Sequence, residues 1–69
     1  MPTMKIYLNG NSQEIDEPMT VLVLLKALGL ADQPVVVELD EKAIFPRDFV
    51  SAMVSEDSKV EIVRLAAGG

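Results

Sequence analysis

The stretch Thr20–Leu30, TVLVLLKALGL, decides how the rest of the chain must be arranged. Val21, Leu24, Leu25 and Leu28 recur at i, i+3, i+4 and i+7, a spacing that lines apolar side chains along one stripe of an α-helix. Thr20 is placed to be the N-cap, and Met19 before it can staple onto Leu24. Val23 stands where a capping box would need Glu or Gln, so no box forms. Gly29 suits the C′ position, with Leu30 folding back as its apolar contact. The segment is apolar beyond its stripe, which favours packing on a sheet over a solvated, partner-binding helix. A single helix must bury that stripe, and one face of a small mixed sheet is the surface available to it.

The strands for that sheet lie on either side. MKIYLNGNSQEI, Met4–Ile15, reads as a hairpin: Met4, Ile6 and Leu8 alternate with Lys5 and Tyr7, and Asn9-Gly10 supplies the positive φ angles of a tight turn. Its second arm, Ser12–Ile15, is short and polar, as suits an edge strand. After the linker ADQP, Val35–Leu39 is a strand with Val35, Val37 and Leu39 on one face and Val36 and Glu38 on the other. Asp40–Lys42 turns the chain into a short return strand, Ala43–Phe45, which Pro46 ends. Pro46 can open one helical turn, with Phe49, Val50 and Met53 or Val54 directed inward. Ser55–Ser58 turns again, and Lys59–Leu65 is the last strand. The expected order is β-β-α-β-β-β, an α+β fold in one domain spanning residues 1–69, with a flexible tail from about residue 66.

Bulk composition narrows the function. The chain has 69 residues, so its stability is expected at about 3–5 kcal/mol. It is 49% hydrophobic but only 4% aromatic, so its core must be aliphatic. Eleven acidic residues against six basic ones give a net charge of −5, which argues against nucleic acid and favours a basic protein partner. With no Cys and no His, disulfides, thiol nucleophiles, thiolate metal sites and the usual general base are all excluded. The N-terminal stretch has no signal-peptide core and no run reaches the length of a membrane span, so a cytoplasmic protein with no membrane association is expected.

Three carboxylate pairs, Asp16-Glu17, Asp40-Glu41 and Glu56-Asp57, all fall in predicted turns, where acidic residues serve as turn formers or solvated charge. Acid–base catalysis needs a desolvated pocket that a domain of this size hardly offers, and no calcium-loop spacing is present. Neither catalysis nor a metal is expected of the chain.

The end of the last strand is more telling. Val60 and Ile62 fit the inward face, and Val63 and Leu65 fall on the outward side, where Val36 and Tyr7 can join them. Such an outward apolar strip suggests a partner surface, against the alternative of ordinary scattered aliphatics. Arg64 and Leu65 then run into Ala66, Ala67, Gly68 and Gly69, which carry no bulky side chain. A segment of that kind can thread a narrow channel, and glycine lets the backbone come close to a reacting centre.

Taken together, MKIYLNG, TVLVLLKALGL, IFPRDF and VEIVRLAAGG resemble the ubiquitin-like sulfur carriers of the β-grasp fold, the ThiS/MoaD superfamily, over essentially the whole chain. The thiamine-pathway branch typically carries Ile-Val-Pro-Arg, two residues and Trp; here Ile44, Pro46 and Arg47 match, while Phe45 and Phe49 replace Val and Trp. Glu56-Asp57 replaces the usual Gly-Asp, and the Pro-Pro of the molybdopterin branch is missing before the tail. The resemblance implies a carrier with no bound cofactor. An E1-like adenylating enzyme would use ATP to form an acyl-adenylate on Gly69. A sulfur donor protein would convert this to a thiocarboxylate, and a thiazole synthase or another acceptor enzyme would take the sulfur. Gly69 is then the modified residue, Ala66, Ala67 and Gly68 its tail, and Val36, Val63, Arg64 and Leu65 the partner surface. The alternatives are the small subunit of a molybdopterin-type synthase, a ubiquitin-like modifier and a non-catalytic interaction module.

Overall fold

The computed structural model describes residues 2–65. Strands β1 (Met4–Leu8) and β2 (Asn11–Ile15) pair antiparallel, from Met4 opposite Ile15 to Leu8 opposite Asn11. The turn between them has φ of 50° at Asn9 and 85° at Gly10, the left-handed pair a two-residue hairpin requires. A two-residue strand β3 (Met19–Thr20) leads into helix α1 (Val21–Ala27). Further on lie β4 (Val35–Leu39), β5 (Lys42–Ile44), a 3-10 turn at Pro46–Asp48, β6 (Met53–Val54) and β7 (Lys59–Arg64).

The main sheet has the order β2-β1-β7-β4-β5, with β1 and β7 parallel and the other neighbours antiparallel. The last strand therefore sits at the centre. Val60 and Ile62 of β7, Ile6 of β1 and Val37 of β4 turn inward and meet Val21, Leu24 and Leu25 of the helix. Phe49 and Val54 complete this core from the segment between β5 and β7.

Both ends of α1 close as the residues dictate. The Thr20 hydroxyl accepts the Val23 N–H at 3.1 Å. At the other end Leu30 N–H reaches Leu25 O at 2.8 Å and Gly29 N–H reaches Lys26 O at 3.1 Å, a Schellman closure with Gly29 at φ 74°.

Several expectations need correction. The strand order is richer than β-β-α-β-β-β, because β3 and β6 pair as a separate two-stranded ribbon with Thr20 opposite Met53. The helix is short, and Leu28 caps it at the core margin rather than inside. Val50, expected inward, is 63% exposed, whereas the expectation that Met53 or Val54 faces inward is met by Val54. Strand alternation in β6 sends Val54 in and Met53 out, while Val50 lies in the turn before that strand. Phe45 lies beyond β5, exposed, before the 3-10 turn.

Candidate functional site

The site begins with how β7 is held. On one side β4 pairs with it from Leu39 opposite Val60 to Val35 opposite Arg64, and Leu65 N–H then bonds Pro34 O at 2.9 Å. On the other side β1 contributes Tyr7 N–H to Ser58 O and Asn9 N–H to Val60 O, both at 2.9 Å. The strand's start is fixed by two turns. Asp40 N–H donates to Lys59 O at 2.8 Å while Lys59 N–H donates to the Asp40 carboxylate at 2.9 Å. Lys5 N–H reaches the Glu56 carboxylate at 2.6 Å, and Asp57 N–H reaches Lys5 O at 2.7 Å. The Glu56-Asp57 turn, with Asp57 at φ 67°, is thereby pinned to β1 without a glycine.

Alternation along β7 places Val63 on the outer face of the sheet, directly across from Val36. Leu65 follows on the same side, two residues on. The three are half exposed, at 56%, 45% and 50%. Arg64 belongs by alternation to the opposite side of the strand, past the core, and is exposed. Tyr7 does not reach the strip: its register partner is Lys59, four residues before Val63, or about 13 Å along the strand. Instead Tyr7, Gly10, Lys59, Val60 and Glu61 line a shallow cavity of about 190 Å³.

Between Tyr7 and the apolar strip lies a feature that sequence spacing does not reveal. Glu38 and Glu61 are direct cross-strand partners on the outer face. Like charges placed opposite each other weaken a sheet, so this face pairs a local repulsion with exposed aliphatics. Only the register between β4 and β7 places Glu38 opposite Glu61. The outer face thus runs from an apolar strip ending at Leu65, through Glu38 and Glu61, to Tyr7 and Lys59 at the far end.

The Ile44–Arg47 motif plays another part. Phe49, just after it, is buried, and the segment it anchors gives Phe49 O to Leu22 N–H and Ala52 O to Val21 N–H, each at 2.9 Å. These bonds satisfy helix N–H groups that have no partner inside the helix. Arg47 sits 5.4 Å above the Phe45 ring, with Nε 3.7 Å from the Asp48 carboxylate. The expected Ala66, Ala67, Gly68 and Gly69 tail lies outside the described residues. Among the described residues no group of three or more His, Cys, Asp or Glu is placed to hold a metal, and no helix is long and apolar enough to cross a membrane.

A mixed sheet crossed by one helix, with its first and last strands parallel at the centre, defines a ubiquitin-like β-grasp domain. The chain belongs to the ThiS family of sulfur carriers, whose family model matches residues 6–69. The thiamine biosynthesis protein ThiS of Geobacter metallireducens is similar in structure, with a TM-score of 0.83 and 30% identity, over 96% of this chain and all of that one. The chain is also 32% identical over 66 residues to a thiazole synthase of Magnetococcus marinus, and spans about a fifth (20%) of that protein's length. The Ycf40 protein of Porphyra purpurea is 27% identical, over 96% of this chain and 93% of its own length.

Proposed function

We propose that this chain carries sulfur as a thiocarboxylate on the main-chain terminus of Gly69 and delivers it to thiazole formation in thiamine biosynthesis. The observation that carries the reading is the placement of β7. A central, doubly hydrogen-bonded strand ends in an exposed apolar strip, Val36, Val63 and Leu65, and leads directly into Ala-Ala-Gly-Gly.

A carboxylate is a poor electrophile and must be activated before a nucleophile can attack it. In the proposed cycle an E1-like partner binds ATP. A Gly69 carboxylate oxygen attacks the α-phosphorus, and pyrophosphate leaves. A persulfide on a sulfur donor protein then displaces AMP to give an acyl disulfide. A second thiol, which this Cys-free chain cannot supply, attacks the donor sulfur, forming a new disulfide with it and releasing the thiocarboxylate. A thiazole synthase transfers that sulfur to its acceptor, and an oxygen from the acceptor or from water takes its place at the acyl carbon, which regenerates the carboxylate. The chain is a substrate in each step and supplies no catalytic group, in keeping with its lack of His and Cys. The similarity to a thiazole synthase supports that acceptor over a molybdopterin-type one. ATP-dependent activation also suits a cytoplasmic setting.

Intact mass spectrometry of the protein purified from its native host tests the reading. The expected result is a population heavier by the difference between a sulfur and an oxygen atom. A ubiquitin-like modifier would instead appear joined to lysines of other proteins, and an interaction module would show neither form. Either of those outcomes would overturn the proposal.

A further inference from the structure

Asn9 makes more contacts with β7 than a turn residue needs. Strand β1 stops at Leu8, and its main-chain pairing with β7 ends where Asn9 N–H meets Val60 O at 2.9 Å. From there β7 runs on to Arg64 paired with β4 on one side, and among the described residues no strand residue pairs with it on the other. The Asn9 side chain fills part of that gap. Its Nδ2 donates to Ile62 O at 3.2 Å, and Ile62 N–H donates to its Oδ1 at 2.8 Å. A carboxamide has the donor and acceptor of a peptide unit, so the pair extends the parallel ladder by one residue after the backbone has turned away.

This arrangement depends on Asn at this position. The turn holds Asn9 at φ 50°, a left-handed angle that Asn, Asp and Gly tolerate, so the turn alone would accept any of the three. Only Asn among them offers both a donor and an acceptor to Ile62.

We infer that Asn9 is a positioning residue for the activation step: it clamps β7 on its open side and so fixes the direction in which the chain leaves the sheet toward the terminal carboxylate. This rests on the Gly69 reading above. Gly69 lies seven positions beyond Ile62 in the sequence, so the point at which β7 leaves the sheet bounds where the terminal carboxylate can reach. Activation demands placement within about 1 Å, since a misplacement of that size can lower a rate about 100-fold.

The test is steady-state pyrophosphate release from ATP with the cognate adenylating enzyme, for the full chain and for Asn9→Gly and Asn9→Asp. Glycine keeps the turn and removes the amide. Aspartate keeps the turn and the acceptor but sets an oxygen against Ile62 O. Both variants are expected to stay fully folded at the assay temperature. Both should lower kcat by about tenfold or more with KM little changed, because the outer-face strip that would meet the partner is untouched. Amide hydrogen exchange at Ile62 should speed up in both. Loss of stability alone would not split kcat from KM in a fully folded sample. Wild-type kcat in either folded variant overturns the inference while leaving the Gly69 reading intact. Absence of ATP-dependent activation in the unaltered chain overturns both.

Discussion

Asp40 and Glu41 both hold positive φ, 51° and 70°, in the turn between β4 and β5. Two-residue turns of this kind favour Asn-Gly or Asp-Gly, because an L side chain in the left-handed region crowds the following carbonyl. Asp40 is compensated, since its backbone and side chain both bond Lys59. Among the described residues the Glu41 side chain makes no hydrogen bond or salt bridge that would offset its strain. Glu41→Gly should therefore stabilise the domain by about 0.5 kcal/mol, a balance of relieved strain against added freedom in the unfolded chain. For a domain of this size that is a rise in Tm of about 2–4 °C. Differential scanning calorimetry checks it, and a lower Tm would show that the Glu41 side chain contributes something its geometry does not suggest.

On strand β7 the outer face joins an apolar strip to a charge repulsion, and the two are separable by substitution. Leu65→Asp removes an aliphatic from the strip without touching the core, so it should weaken capture by the adenylating enzyme while leaving the melting curve in place. Glu61→Lys should act differently. It turns the repulsion with Glu38 into an attraction and should raise stability by a few tenths of a kcal/mol. It should also slow association with a basic partner surface and flatten the salt dependence of that rate. Surface plasmon resonance at two ionic strengths distinguishes the two effects. Unchanged binding of Leu65→Asp would remove the strip from the interface, and a faster on-rate for Glu61→Lys would reverse the assigned sign of the partner. Much of this element was legible in the sequence, because alternation from Val60 to Leu65 fixes which side chains face out. The Glu38–Glu61 encounter was not, since register between strands far apart in sequence is set by the whole sheet. The β3–β6 ribbon escaped for another reason: two residues carry no period, so Val50 and Met53 looked as inward as Phe49 and Val54. The Asn9–Ile62 pairing is likewise invisible to periodicity, which reads the Asn-Gly turn but not where the amide points.

At the scale of the molecule, helix, sheet and turns hold one central strand, and on the proposed reading its end is offered to another protein. TVLVLLKALGL and the Asn9-Gly10 hairpin suffice to argue a helix on a mixed sheet, and the parallel pairing of first and last strands follows from closing that sheet around β7. The cargo role of Gly69 is a claim about chemistry, and its most direct test is the mass of two altered chains after incubation with ATP, the activating enzyme and the sulfur donor. One lacks Gly69 and the other carries one residue beyond it. Either change moves the carboxylate by up to about 3.6 Å along an extended chain. A residue beyond the last strand contributes almost nothing to packing, so both variants should melt as the unaltered protein does. If Gly69 carries the cargo, the unaltered chain gains the sulfur-for-oxygen mass difference and neither variant does. Sulfur loading of either variant at the normal rate would contradict it.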